Sequence, residues 1–285
     1  MKFDVYTEIV DCFHRDISRK RHFRLNEFAN HYPSVSKHTL GSICSLEYQK
    51  LMKKTNYKYH EPHFVEEYYC RFMDDINCGK KHVLLNLAEE VHLSPALFAR
   101  NMLERHLSVT EYDGDAVPKP VLTRLMKDTS LVRDPVLANE IDVCILNDEF
   151  YGPIMDGIRH SIGHEYEFLL KRKADENKLV YLDEDQMRGR GYDKTPDIKL
   201  EVPIAVDGRV VNWIESKASF GDEISHKRYL KEQFWSYWNR FGPGLVIYWF
   251  GFIDELDTHR DKGIMLMDHF PEKISFMDTG YTSSQ

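Results

Sequence analysis

The chain has 285 residues, 42% of them hydrophobic and 13% aromatic, and carries a formal net charge of −8. That length holds one large domain or two ordinary ones, and the apolar content is enough for real cores, which excludes a disordered or low-complexity chain. Five cysteines (Cys12, Cys44, Cys70, Cys78 and Cys144), odd in number and without a Cys-x-x-Cys spacing, argue for a reducing compartment and against structural zinc.

The start, Met1-Lys2-Phe3-Asp4, does not read as a signal peptide, and no apolar run approaches membrane-spanning length. Residues 1–60 hold eleven Lys and Arg against six acids, a local charge of +5 that leaves −13 for the rest. A basic front on an acidic body suits an electrostatic footprint for nucleic acid. Arg19-Lys20-Arg21 reads as a solvated face, with a localisation patch as the alternative. The front half predicts helices with an internal echo. One copy is Leu25–Ala29, the turn His31–Ser36, and a helix through Leu40, Ile43 and Leu46. The other is Leu85–Val91, the turn His92–Pro95, and a helix through Leu97, Met102 and Leu103. Ser36 and Ser94 suit N-caps, and Pro95 the first helical position. Helix, short turn, capped helix is the helix-turn-helix pattern, whose second helix can enter a major groove. Lys37, His38 and Ser42 would stand at the exposed start of that helix in the first copy, and Lys50, Lys53 and Lys54 at its end.

Ser108 to Pro120 reads as a linker, so the domains expected are 1–112, a helical tandem helix-turn-helix region, and 113–285. The second domain opens with helices at about 120–127 and 134–147. A further helix follows over about 156–173, with Ile158, Ile162, Tyr166, Leu169 and Leu170 as its apolar stripe. It carries Glu165 and Glu167, about 200° apart, so only one can face a given site. His160 and His164 share a face at i, i+4, but with no further ligand nearby they read as surface or hydrogen-bonded residues.

From Ile198 the residues alternate, with Ile198, Leu200, Val202 and Ile204 on one face of a half-buried strand. Asp207-Gly208 signals a two-residue hairpin. The return strand, from Arg209 to about Ala218, places Val211, Trp213, Glu215 and Lys217 on one face, so Glu215 and Lys217 project side by side. With Asp197 across from them, two carboxylates converge with one ammonium. Such a set suits Mg²⁺ (or Mn²⁺), which keeps much of its hydration and takes few protein carboxylates. Taken alone, Glu-x-Lys on a strand is a solvated charge pair and Pro-Asp a turn start; the hairpin and the flanking signals favour the functional reading. Next comes a helix from about 223 to 240 with Gln233 and Tyr237 at i, i+4, able to reach one substrate together. Phe234, Trp235 and Trp238 read as packing it on the sheet. Gly242-Pro243-Gly244 ends it, and Leu245 to Phe252 reads as a buried central strand.

Helix acid, Pro196-Asp197, Glu215-Ser216-Lys217 and Gln233-x-x-x-Tyr237 together resemble the PD-(D/E)xK nuclease superfamily. The runs Leu182–Gln186, Gly191–Asp197, Trp213–Asp222 and Gln233–Trp249, with Glu47–Lys50 and Leu137–Asn139 in the front half, are similar to the codanin-interacting nuclease family of animals. The resemblance covers nearly the whole chain. It implies an α/β fold in which a helical helix-turn-helix front precedes a restriction-endonuclease-like mixed sheet flanked by helices. It implies a Mg²⁺-dependent nuclease hydrolysing phosphodiester bonds in DNA or another nucleic acid, codanin as a stable partner, and a nuclear and cytoplasmic location. Catalytic roles carry over onto Asp197, Glu215 and Lys217, and a glycine four residues upstream selects Glu167 over Glu165 as the helix acid. Asp197, Glu215, Glu167 and the Ser216 carbonyl would bind metal, Lys217 would position the attacking water, and Gln233 and Tyr237 would contact the substrate strand. No small-molecule cofactor and no membrane contact are expected. The alternative is an adaptor that keeps the nuclease fold as a docking platform for codanin with little or no catalysis, because a fold does not establish function.

Overall fold

The computed structural model describes residues 1–19 and 25–277, so Lys20, Arg21 and Arg24 of the basic front lie outside the described residues. The helices are α1 (Phe3–Arg19), α2 (Leu25–Ala29), α3 (Lys37–Thr55), α4 (Pro62–Asn77), α5 (Val83–Glu90), α6 (Pro95–Glu111), α7 (Lys119–Lys127), α8 (Pro135–Leu146), α9 (Pro153–Glu176), α10 (Glu184–Gly189), α11 (Glu223–Tyr229) and α12 (Trp235–Phe241). The strands are β1 (Tyr181–Asp183), β2 (Ile198–Val206), β3 (Arg209–Lys217), β4 (Gly244–Tyr248), β5 (Ile264–Met267) and β6 (Ser275–Phe276). The fold is mixed α/β. By contacts the chain divides into two compact units, one of residues 1–10, 29–42 and 161 onward, the other of 11–28 and 43–160.

The second of these units is helical, and two buried acids on or just after α8 organise it. Glu140 accepts from the backbone N–H groups of His82 (2.8 Å) and Leu84 (3.0 Å), at the amino end of α5. Asp148 accepts from Ser94 Oγ–H and from the N–H groups of Ala96 (3.0 Å), Phe150 (2.9 Å) and Tyr151 (2.8 Å). Each carboxylate thus satisfies orphan donors at a helix start, where the helix dipole also favours negative charge. Ser94 caps α6 through Leu97 N–H, as its position after a turn predicts. Helix α6 runs on to Glu111, so the expected linker from Ser108 is shortened by a full turn.

The other unit is built on a sheet of order β1-β2-β3-β4-β5, with β6 pairing β2. The β1-β2 and β2-β3 pairs are antiparallel, whereas β3-β4 and β4-β5 are parallel. The β2-β3 turn is the expected one: Asp207 and Gly208 both have positive φ (50° and 73°), the pattern of a type I′ hairpin. One face of the sheet packs Ile198, Leu200, Ile214, Leu245, Ile247 and Met265 against Leu170 and Ala174 of α9. The other packs Trp213, Val246, Tyr248, Ile264 and Leu266 against Leu230, Phe234 and Tyr237. β4, buried at all five positions, is the central strand, but it stops at Tyr248 instead of running to Phe252.

Several expected faces are corrected. The β2-β3 register slips between Lys199 and Ile204. Val202 consequently lies exposed, and Val211 joins the α9 side of the core rather than sharing a face with Trp213. On α9 the buried positions are Leu170 and Ala174, while Ile158 is exposed, so the stripe is displaced towards the carboxyl end. The helix expected over about 223–240 is interrupted: Leu230–Phe234 forms a π turn between α11 and α12. Phe234 packs on the sheet as expected, whereas Trp238 remains 37% exposed.

Candidate active site

Asp197 immediately precedes β2, and Glu215 and Lys217 close β3. Because the strands are antiparallel and Ile198 pairs with Ile214, the start of one meets the end of the other. The Ser216 backbone N–H donates to Asp197 Oδ2 at 2.6 Å, and the Asp197 N–H donates to Glu215 Oε2 at 3.3 Å. Lys217 Nζ donates to Glu215 Oε1 at 2.6 Å, as the shared face of i and i+2 requires. The Lys217 ammonium also lies 4.8 Å from the Tyr229 ring centroid, a cation–π contact. Asp197, Glu215 and Lys217 are therefore brought together as the sequence predicts.

The electrostatics follow from burial. Asp197 is pushed well above the usual carboxylate range, first by loss of water and then by the Glu215 charge; the Ser216 N–H and Lys217 oppose this. Burial also raises Glu215, with Lys217 pulling the other way. For Lys217 burial works against the charged form, but Glu215 and Asp197 outweigh it and hold the ammonium. Two crowded carboxylates and one ammonium leave an excess of negative charge that a further cation would relieve.

The remaining predicted residues sit around this centre. Glu167 on α9 is half-exposed, 3.5 Å from His164 Nδ1, and its charge acts on Asp197. Glu165 is exposed, and its charge acts on the neighbouring Tyr166. Ser216 holds Asp197 by its N–H, and its Oγ accepts from Trp249 Nε1–H at 2.8 Å. Tyr237 is buried edge-on against Trp213 (5.3 Å), and burial, with the charges of Glu215 and Asp197, raises its hydroxyl pKa. The Gln233 Oε1 atom, in the π turn, is buried without a hydrogen-bond partner among the described residues. Among the described residues no cluster of three or more His, Cys, Asp and Glu is placed to hold a metal, so neither Glu167 nor Glu165 is gathered with Asp197 and Glu215 into one ligand set, and His160 and His164 belong to no such cluster either.

Two residues escaped sequence reasoning. Glu184, at the start of α10, acts on both Glu215 and Tyr237 and accepts from Thr195 Oγ1–H at 3.4 Å. Its signal was the acid inside the Asp183…Gln186 capping box, both halves of which form. Tyr229, the last residue of α11, was detectable as the residue four before Gln233 in the helix expected over about 223–240. The loop carrying Asp197 is anchored by Arg240, which donates to Asp193 Oδ1 (2.7 Å) and to the Lys194 carbonyl (3.2 Å).

Fold and site together define an α/β protein with a buried Asp-Glu-Lys centre at the meeting ends of an antiparallel strand pair. A Xenopus laevis relative named CDAN1-interacting nuclease 1 is 58% identical over 244 residues, 85% of this chain and 80% of its own. Its Homo sapiens and Danio rerio namesakes are 49% and 52% identical, over 94% and 88% of this chain and 95% and 83% of their own. The chain belongs to the CDAN1-interacting nuclease 1 family. A family model described as a protein of unknown function with a TPD sequence motif matches residues 133–270, a span that contains Thr195-Pro196-Asp197. No solved structure matches the chain.

Proposed function

We propose that this chain is a divalent-metal-dependent nuclease that hydrolyses phosphodiester bonds in DNA or another nucleic acid and acts as a stable partner of codanin. The observation that carries the reading is the buried Asp197–Glu215 pair with Lys217 at its edge. The donor set suits magnesium or manganese, hard cations that take one or two protein carboxylates and complete their shell with water and substrate oxygens. Asp197 and Glu215 would hold the ion, with the Ser216 carbonyl and Glu167 as further donors. When bound, such an ion supplies Lewis acidity toward a phosphodiester.

The chain's own groups do the rest. The Ser216 N–H, donating at 2.6 Å, fixes the rotamer of Asp197. Lys217, held by Glu215, is placed to orient an attacking water or to stabilise charge developing on the phosphate. Gln233 offers an acceptor with no partner among the described residues, suited to a substrate donor, and the Tyr237 hydroxyl stays protonated beside the carboxylates. The partner reading draws support from the names of the relatives, and the proposed location is nucleus and cytoplasm.

A second reading, a docking platform with little catalysis, has one observation in its favour. The 2.6 Å Lys217–Glu215 contact already engages one of the oxygens a metal would need. The two readings part on a panel of single-stranded, duplex, flapped and branched DNA and RNA incubated with Mg²⁺ or Mn²⁺. Cleavage by the wild type that disappears in Asp197→Asn and Glu215→Gln, both still folded, supports the nuclease. Absence of cleavage on every substrate, with codanin binding unchanged in both variants, supports the platform.

A further inference from the structure

Helix α7 and the turn after it present a surface unrelated to the Asp-Glu-Lys centre. Its inward face is apolar, with Leu122, Leu125 and Met126 buried. Its outward face, together with Leu131, borders an open groove of about 610 Å³. Three cations line that groove: Lys119, Arg124 and Lys127. None of the three side chains makes an ion pair or hydrogen bond among the described residues. The acid on the same rim, Asp128, accepts from the N–H (3.2 Å) and Oγ–H (2.5 Å) of Ser130 and forms no ion pair with the three, so the rim keeps an excess of positive charge. Between the cations lie Pro120 and Leu131, the latter 48% exposed.

On a chain of net charge −8, three cations against one acid around apolar side chains are a local inversion of the surface. Arg124 and Lys127 are three apart and adjacent on the helix surface, and Lys119, eight before Lys127, lies on the same side two turns earlier, so the three cations form one charged face that an acidic partner surface complements. Apolar contact beneath them matches an apolar stripe on a partner helix, the helix-in-groove mode of recognition. Single-stranded nucleic acid would need aromatic rings for its bases to stack on, and no aromatic residue lines the groove. We infer that the α7 groove is a docking site for an acidic amphipathic helix of a partner protein. The inference does not depend on catalysis.

The test uses the full chain and labelled probes in fluorescence anisotropy: a synthetic peptide of about five helical turns with Leu at i, i+3, i+4 and Glu on its flanks; the same peptide with Ser for Leu; and duplex and single-stranded DNA. Saturable binding of the first peptide is expected, weakened about tenfold or more by Lys119→Glu/Arg124→Glu/Lys127→Glu and, separately, by Leu131→Ser. All four positions are exposed, so the variants should keep the wild-type melting temperature, and the Leu131→Ser variant stands as an independent arm if the triple variant does not. Equal binding of the Leu and Ser peptides, or no binding of either, would overturn the inference. So would DNA binding that is stronger than peptide binding and is lost in the triple variant, which would make the groove a nucleic-acid site.

Discussion

Asp197 and Glu215 are joined through the backbone as well as through charge: the Asp197 N–H donates to Glu215, while Asp197 Oδ2 accepts from the N–H of Ser216. The two acids therefore crowd each other and at the same time terminate the β2-β3 ladder. Asp197→Asn removes the repulsion and keeps an acceptor for Ser216. Asp197→Ala leaves that buried N–H without a partner, at a cost of about 1–3 kcal/mol. Urea denaturation should rank Asp197→Asn at or above wild type and Asp197→Ala clearly below; equal losses in both variants would refute this account of the pair.

Lys217 is more than half of a surface ion pair. Its side chain is 15% exposed and that of Glu215 only 5%. Lys217→Met strands a buried carboxylate, which costs about 3–5 kcal/mol when a buried pair is broken, whereas the double variant Lys217→Met/Glu215→Gln removes both charges. The double variant should recover most of the stability lost in the single one. Additive losses would show that the two side chains do not act as a pair.

His226 provides a pH signature away from the centre. Burial pushes its pKa down to about 4, aided by the nearby His259, and its Nδ1 lies 3.0 Å from the Tyr248 hydroxyl. Between the unfolded value near 6.5 and about 4 the unfolded chain binds a proton that the folded one refuses, so stability falls as pH drops through that window. At about pH 5 the loss from this residue should be about 2 kcal/mol. Denaturation free energies of wild type and His226→Gln at about pH 7 and pH 5 should diverge by that amount; parallel values would mean that His226 is not held neutral.

Glycines separate packing from propensity. A methyl at Gly244 would overlap the indole of Trp213, which is fully buried and donates to the Gly242 carbonyl at 2.8 Å. Gly157 on α9 has open space around it. Gly244→Ala should lower the thermal midpoint steeply through overpacking, and Gly157→Ala should raise stability by about 0.5–1 kcal/mol. A tolerated Gly244→Ala would contradict the described contact of β4 with β3.

The motifs of the site were legible because each is local, but their meeting is not. Asp207-Gly208 fixes the hairpin and the pairing as far as Ile204 with Val211; beyond it the register slips, and it is the shifted pairing of Ile198 with Ile214 that brings Asp197 to Glu215. What lay beyond the sequence depends on distant contacts. The π turn at Leu230–Phe234 has no local composition signal, and Leu230 and Phe234 both pack on one sheet face from it. The slip in β2 displaces Val202 and Val211 without any break in the alternating pattern. Likewise His38 and Ser42 look free on a helical wheel. In the fold His38 stacks on Phe250 at 5.5 Å, and Ser42 Oγ accepts from the Phe220 N–H at 2.8 Å, contacts across more than 170 residues. The α9 stripe misled because Ile158 lies in the stretch of that helix preceding the sheet contact.

The most direct measurement is Mn²⁺ binding to the purified chain by electron paramagnetic resonance, with Asp197→Asn and Glu215→Gln alongside. One bound ion per wild-type chain, displaced by excess Mg²⁺ and lost in both variants at unchanged secondary structure, is the predicted result. Manganese uptake that is absent from the wild type, or identical in all three proteins, would contradict a metal-dependent centre at Asp197 and Glu215.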